Sequence, residues 1–271
     1  MTHLVSLTLV LVIATFAHFT SCKLTCLTRK SELSGTSDDD QARVTCEGDE
    51  RMTSCLSYLP GPGGHGTRDG EFIEVSDGVV TCLARNGVGG TGVRAIARCC
   101  TEDNLQCGYA GSSKSGSGDD DESWVTYAIN ALDSEDCKTQ LTGCSGNTFW
   151  RNYDGSFPKS SVSQELTAIE DNKCVAVNGG LGQGVWATAV YCSTDGLNCK
   201  AKWSAKSGGS QGDTATVSCD DGWVLTGCNS YTWYKNNDGA YITDNDECVA
   251  VNGGNDHWIY AVAICCQIQT T

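Results

Sequence analysis

The chain is poor in positive charge, proline and histidine. Against 33 Asp and Glu it sets 18 Lys and Arg, for a formal net charge of −15 over 271 residues. Neither a phosphate backbone nor an anionic lipid headgroup attracts such a surface, so nucleic-acid binding is excluded. No segment keeps a helical apolar period over a dozen positions, which argues against helices. After the N-terminal apolar run no second one of spanning length follows, and no membrane insertion is expected. Of the 4 histidines, His3 and His18 lie at the N-terminus, leaving His65 and His257. No two of them have zinc-ligand spacing, so no metal cofactor of that kind is expected. No Asn-x-Ser/Thr sequon occurs, which excludes ordinary N-glycosylation. Gly208-Gly-Ser210-Gln-Gly212 fits the string of a hydrolase elbow, but it lies in a Gly/Ser loop without a strand–helix context. No catalytic residues are assigned, and the chain is expected not to be an enzyme.

What the chain has is cysteine, 18 of them, with 32 glycines. Such a content suits an oxidising compartment and a disulfide scaffold. Leu4 to Ala17 is an uncharged apolar run of signal-peptide length, with small residues placing cleavage after Ala17 or after Cys22. The expectation is a secreted, extracellular protein whose first 22 residues are a signal peptide.

The cysteines repeat. One set runs Cys26, Cys46, Cys55, Cys82, Cys99-Cys100, and another Cys199, Cys219, Cys228, Cys248, Cys265-Cys266. First to second cysteine is 20 residues in both, second to third 9, and fourth to fifth 17. Between them a middle set opens at Cys107 and closes at Cys192. Short phrases recur with the spacing: Leu141-Thr-Gly-Cys144 with Leu225-Thr-Gly-Cys228, and Cys174-Val-Ala-Val-Asn-Gly-Gly180 with Cys248 to Gly254. The organisation is therefore three modules, 23–100, 101–192 and 193–271. β-Branched runs such as Gly92–Cys100, Val185–Cys192 and Trp258–Cys266, set between Gly, Asn, Asp and Ser clusters, predict β-strands. Modules of this size are marginal for a hydrophobic core, so cross-links make physical sense.

The middle module carries Tyr127 where a second cysteine is due and Tyr191 where a fifth is due. If those two cysteines are bridged in the other modules, a tyrosine pair stands in for a cystine here. Stacked rings supply about 0.5–1.5 kcal/mol beyond burial, against about 2–4 for a disulfide. Cys22 and Cys137 fall outside the framework. They pair with each other if both survive processing; otherwise Cys137 is an odd thiol suited to a disulfide-linked dimer.

Two further patterns are candidates for binding. Asp38, Asp39 and Asp40 align with Asp119, Asp120 and Asp121 between first and second cysteines, either as solvated loops or as a weak calcium site. Thr148 to Phe157 parallels Thr232 to Tyr241, giving Trp150, Tyr153, Trp233 and Tyr241 as candidate binding rings, the alternative being that they fill the cores.

The cysteine module, with Gly92-Val-Arg-Ala-Ile-Ala-Arg-Cys-Cys100, Gly222-Trp-Val-Leu-Thr-Gly-Cys228 and Ala261-Val-Ala-Ile-Cys-Cys266, resembles the C-terminal cysteine/histidine-rich region of proprotein convertase subtilisin/kexin type 9. The resemblance covers about Cys26 to Cys266. It implies an all-β fold of three disulfide-stapled antiparallel β-sandwich modules around a pseudo-threefold axis, like a resistin trimer. It also implies first–sixth, second–fifth and third–fourth pairing: Cys26–Cys100, Cys46–Cys99 and Cys55–Cys82; Cys107–Cys192 and Cys144–Cys174; Cys199–Cys266, Cys219–Cys265 and Cys228–Cys248. No counterpart of the convertase's protease domain is read in the chain, so its proteolysis is not carried over. That region is rich in histidine and this chain is not, so a histidine-driven pH switch is not expected. The expected function is a non-catalytic module binding extracellular proteins or receptor ectodomains through its loops. The alternatives are an acidic matrix or mineral protein, and a lectin.

Overall fold

The computed structural model describes residues 23–60, 68–126, 139–148, 153–180, 182–233 and 237–269. Among them all regular structure is β, in agreement with the all-β reading. The first module contributes β1 (Thr25–Lys30), β2 (Gln41–Thr45), β3 (Arg51–Tyr58), β4 (Arg68–Ser76), β5 (Val79–Asn86) and β6 (Arg94–Thr101). The second contributes β7 (Gln106–Gly111), β8 (Glu122–Val125), β9 (Gln140–Thr148), β10 (Tyr153–Ser160), β11 (Thr167–Asn178) and β12 (Val185–Ser193). The third contributes β13 (Leu197–Trp203), β14 (Thr214–Ser218), β15 (Val224–Tyr231), β16 (Asn237–Ile242), β17 (Glu247–Asn252) and β18 (Tyr260–Ile268).

These strands form three six-stranded sheets, and each sheet joins two modules. Strands β1-β6-β3 of the first continue into β16-β17-β14 of the third; β4 of the first continues into β9-β12-β7 of the second; β10 of the second meets β15-β18-β13 of the third. Each sheet has a junction made of a single register pair, Gly239 with Tyr58, Gly70 with Asn147 and Gly155 with Tyr231. Strand β11 of the second module also pairs with β13 of the third, through Thr167 with Ala201 and Ala168 with Lys200. All three junction glycines belong to an Asp-Gly step and have positive φ, 98°, 95° and 127°. A Cβ on them would lie 2.0–2.2 Å from the carbonyl oxygens of Ser57, Gly146 and Ser230 respectively, so glycine is required for backbone to meet backbone.

The repeated phrases have structural reasons. Thr53, Thr142 and Thr226 each occupy a β-bulge two residues before the third cysteine, where the register slips by one. Thr53 donates to the Thr226 carbonyl at 2.9 Å, and Thr142 to the Thr53 carbonyl at 3.2 Å, knitting the modules at their centre. A Cβ on Gly143 would lie 2.2 Å from the Thr53 oxygen. In Cys-Val-Ala-Val-Asn-Gly, the asparagine is a clamp. Asn86, Asn178 and Asn252 each donate an amide proton to a carbonyl of the acidic loop, Ser37, Gly118 and Ser210, at 2.8, 2.7 and 3.1 Å. Their side-chain oxygens accept the amides of Gly92, Gly184 and Gly254.

Eight disulfides are present among the described residues: Cys26–Cys100, Cys46–Cys99, Cys55–Cys82, Cys107–Cys192, Cys144–Cys174, Cys199–Cys266, Cys219–Cys265 and Cys228–Cys248. The first–sixth bridge of every module joins residues directly opposite on paired strands. Hydrophobic cores also cross module boundaries. Leu56 and Ile96 of the first module pack with Leu225, Ile242 and Ile259 of the third. Phe157, Val175 and Val177 of the second pack with Trp203, Tyr231 and Val262 of the third. The leader expectation, like Cys22 and Cys137, lies outside the described residues.

Candidate functional site

The Asp-Gly steps place three unlike residues at one spot: Arg68, Tyr153 and Asn237 each precede the Asp. The Arg68 guanidinium is 2% exposed, against 6% for its partner Glu71, at 2.7 Å. It also donates to the Ser57 hydroxyl at 2.6 Å, the Asn237 carbonyl at 2.9 Å and the Asn237 side-chain oxygen at 3.0 Å. It lies 5.1 Å from the centre of the Tyr153 ring. One guanidinium thus ties all three modules together. Burial raises the Glu71 carboxyl, with Arg68, Ser57 and the Gly146 amide opposing. Burial likewise holds the Tyr153 phenol well above its usual range. Next to this cluster burial pushes Asp238 up to about 7, with Arg68 opposing. The cluster is closed to solvent and serves the scaffold. Tyr153, held open as a binding ring, is buried at 3% and is therefore corrected to the interior alternative.

The acidic loops divide into two roles. Asp40 and Asp121 accept the amides of Ser37 and Gly118 at 2.8 and 2.7 Å, and Asp213 of the third module accepts that of Ser210 at 2.8 Å. These carboxylates shape a turn, the same turn in each module. Asp39 and Asp120 sit at its left-handed position, φ 64° and 63°, where the third module has Gly212. Side-chain oxygens of Asp38 and Asp39 gather with buried Asp69, and those of Asp119 and Asp120 with buried Asp154, within 4.8 Å of one another. Gln211 and Gly212 occupy the corresponding positions of the third module. Asp40 and Asp121 are thereby separated from the calcium candidates, and Asp69 and Asp154 join them; these two were legible only as the Asp of each Asp-Gly step.

The aromatic candidates part company. Trp233 stands 60% exposed, which corrects the core alternative for that ring. Tyr241 is partly buried with its ring 4.8 Å from that of Tyr58, at the junction of the first and third modules. Trp150 lies outside the described residues. Trp233 belongs to a continuous strip: its ring is 6.0 Å from Tyr231 and 6.5 Å from Trp258, whose ring is 5.2 Å from Tyr260. Tyr260 in turn meets the buried Trp203 at 5.5 Å edge-on, and Trp203 donates its indole proton to Ser160. The Lys206 ammonium lies 3.6 Å from the Trp258 ring centre. Sequence reasoning missed Trp203, Trp258, Tyr260 and Lys206. The alternation in Leu197-Asn-Cys-Lys-Ala-Lys-Trp203 was the available signal for Trp203; nothing local marks the others.

Tyr191 is buried, with its hydroxyl 3.2 Å from the carbonyls of Val125 and of Asn172. It ties β12 to the end of β8 and the middle of β11; in the other modules the second–fifth cystines tie the segments equivalent to β8 and β12. Burial raises its pKa above the usual phenol range. Its expected partner Tyr127, and His65, lie outside the described residues. Ser210 sits in the acidic-loop turn described above, its amide bonded to Asp213.

A threefold, disulfide-stapled β scaffold with buried polar junctions and loop-borne surface groups is the class that the fold defines. Two family models described as the proprotein convertase subtilisin-like/kexin type 9 C-terminal domain match residues 18–104 and 193–269. The chain is 31% identical over 260 residues to proprotein convertase subtilisin/kexin type 9 of Mus musculus, covering 92% of this chain and 33% of that protein. The chain belongs to the family of this convertase's C-terminal domain. It spans about a third of the length of the curated relative it matches. The matched region lies outside the relative's protease domain, which is consistent with a non-catalytic module, as the disulfides are with an extracellular one.

Proposed function

We propose that this chain is a secreted, non-catalytic binding protein that engages an extracellular protein or a receptor ectodomain through surface groups of its three-module scaffold. The observation that carries the reading is the division of its polar and aromatic residues. Arg68, Glu71, Tyr153 and Asn237 are consumed in holding modules together, whereas Trp233 sits at the surface with Trp258 and Tyr260 partly exposed beside it. A rigid scaffold with rings presented at one junction suits recognition, since large rings carry much of the energy of protein interfaces. Affinity capture from extracellular fluid and matrix, with and without EDTA, tests it. Recovery of one ectodomain, indifferent to chelator, is the expected outcome; recovery of nothing specific overturns it.

A second reading rests on the acidic groups around Asp69 and Asp154, which repeat in two modules with the same membership. Weak calcium binding there would favour a matrix- or mineral-associated protein. Retention on matrix released by EDTA, and lost in Asp69→Asn with Asp154→Asn, would support it. A lectin role predicts glycan-array binding lost in Trp233→Ala.

A further inference from the structure

We propose that the strip Trp233, Trp258 and Tyr260, backed by the buried Tyr231 and with Asp120 and Glu122 beside it, is a docking surface for a lysine- or arginine-rich segment of a protein partner. The proposal rests on the protein-binding reading above and names the chemistry of the partner.

Three observations carry it. The faces of this strip already accept an ammonium group: Lys206 places its own 3.6 Å from the centre of Trp258. Trp233, the next ring along, is 60% exposed and is therefore available to a second cation. The module junction brings carboxylates to the same place. Gly155 pairs with Tyr231, the Thr232 amide donates to the Asp154 carbonyl at 3.0 Å, and side-chain oxygens of Asp119 and Asp120 lie within 4.8 Å of that of Asp154, which brings the acidic loop of the second module to the strip of the third. Burial pushes the Tyr231 phenol up, and the nearby charges of Asp120, Asp154 and Glu122 add to it. Asp120 and Glu122 are exposed. Rings bordered by exposed carboxylates, on a protein of net charge −15, complement a basic segment. A neutral sugar would use the rings but gain nothing from the carboxylates' charge.

The test uses the secreted chain and two tryptophan-free peptides, (Gly-Lys-Gly-Arg)4 and (Gly-Glu-Gly-Asp)4, at physiological salt. The basic peptide is expected to bind and the acidic one not. Trp233→Ala should weaken binding about tenfold, as an interfacial ring does, and Trp233→Phe should weaken it less. Asp120→Asn with Glu122→Gln should also weaken it about tenfold, whereas Asp221→Asn with Asp244→Asn, the same charge change at exposed sites elsewhere, should change it less than twofold. Thermal midpoints show which variants remain folded. Equal weakening by both charge pairs would reduce the effect to the general field of an acidic protein and overturn the proposal. No binding of the basic peptide overturns it too, as does Trp233-dependent binding of neutral oligosaccharides alone. An ectodomain captured equally well by Trp233→Ala would overturn this inference and leave the protein-binding reading intact.

Discussion

The hydroxyl of Thr53 donates to the carbonyl of Thr226, 173 residues further along the chain, at 2.9 Å. Both residues are bulged out of their strands, and both immediately precede the residue before a third cysteine. A bulge turns one backbone unit out of its own ladder, and here the freed group is used by another module. The three repeats are thus not beads on a string. Their inner faces are held by hydrogen bonds, glycine contacts and two buried guanidiniums, that of Arg68 and that of Arg98, which donates to the Leu225 carbonyl of the third module at 2.8 Å.

The glycine junctions make the sharpest stability test. Gly239→Ala would set a methyl 2.0 Å from the Ser57 carbonyl oxygen at φ 98°, so backbone must move. The expected loss exceeds the about 1–2 kcal/mol of a left-handed alanine alone. Gly48→Ala, at φ 59° with nothing within 4 Å, measures that backbone part by itself. Denaturant unfolding of the two variants should separate them; equal losses would show that the junction can relax.

The Arg68–Glu71 pair is buried, so removing one partner strands the other. Arg68→Ala should cost about 3–5 kcal/mol, and Arg68→Met combined with Glu71→Leu much less. A double-mutant cycle read by chemical denaturation checks this. A double variant as unstable as the single one would mean that Asn237 and Ser57 depend on the guanidinium more than Glu71 does.

A pH dependence follows from Asp238. Burial carries its carboxyl from 3.8 to about 7, so between those values the folded chain holds a proton that the unfolded chain has released. Stability therefore falls as pH rises from about 4 to about 7, and the penalty is complete above that. Glu71, raised in the same direction, adds to the trend. Asp238→Asn should flatten the profile and raise the thermal midpoint at pH 8 by a few degrees, at about 2–4 °C per kcal/mol for a chain of this size. An unchanged difference between wild type and variant from pH 4 to pH 8 would contradict the assignment.

In the middle module Tyr191 stands at the position where the other modules have their fifth cysteine. Tyr191→Phe should cost about 1 kcal/mol, the size of a buried hydrogen bond, while Tyr191→Ala also leaves a cavity and should cost about 3–5. Cys46→Ala with Cys99→Ala should cost about 2–4 kcal/mol. Differential scanning calorimetry of these variants ranks the two kinds of staple.

Much of this architecture can be read from particular residues. Cysteine spacing discloses three copies of one unit, and Leu-Thr-Gly-Cys and Cys-Val-Ala-Val-Asn-Gly mark its repeated phrases before their work is known. Spacing is a local property, set by strand lengths within one module, and so the sequence by itself determines the repeat, the β class and the oxidised framework. What lies across a junction is decided only in three dimensions. Tyr153 and Trp233 look alike as loop aromatics. Yet Tyr153 meets Arg68 of another module and is buried, while Trp233 passes beyond the last paired residue of β15 into solvent. Asp40 and Asp39 are adjacent, but only the fold makes one a turn former and brings the other to Asp69. The physical reason is common to all these cases: burial and charge at a junction depend on neighbours supplied by a second module, and no local pattern in the chain encodes which residue that neighbour will be.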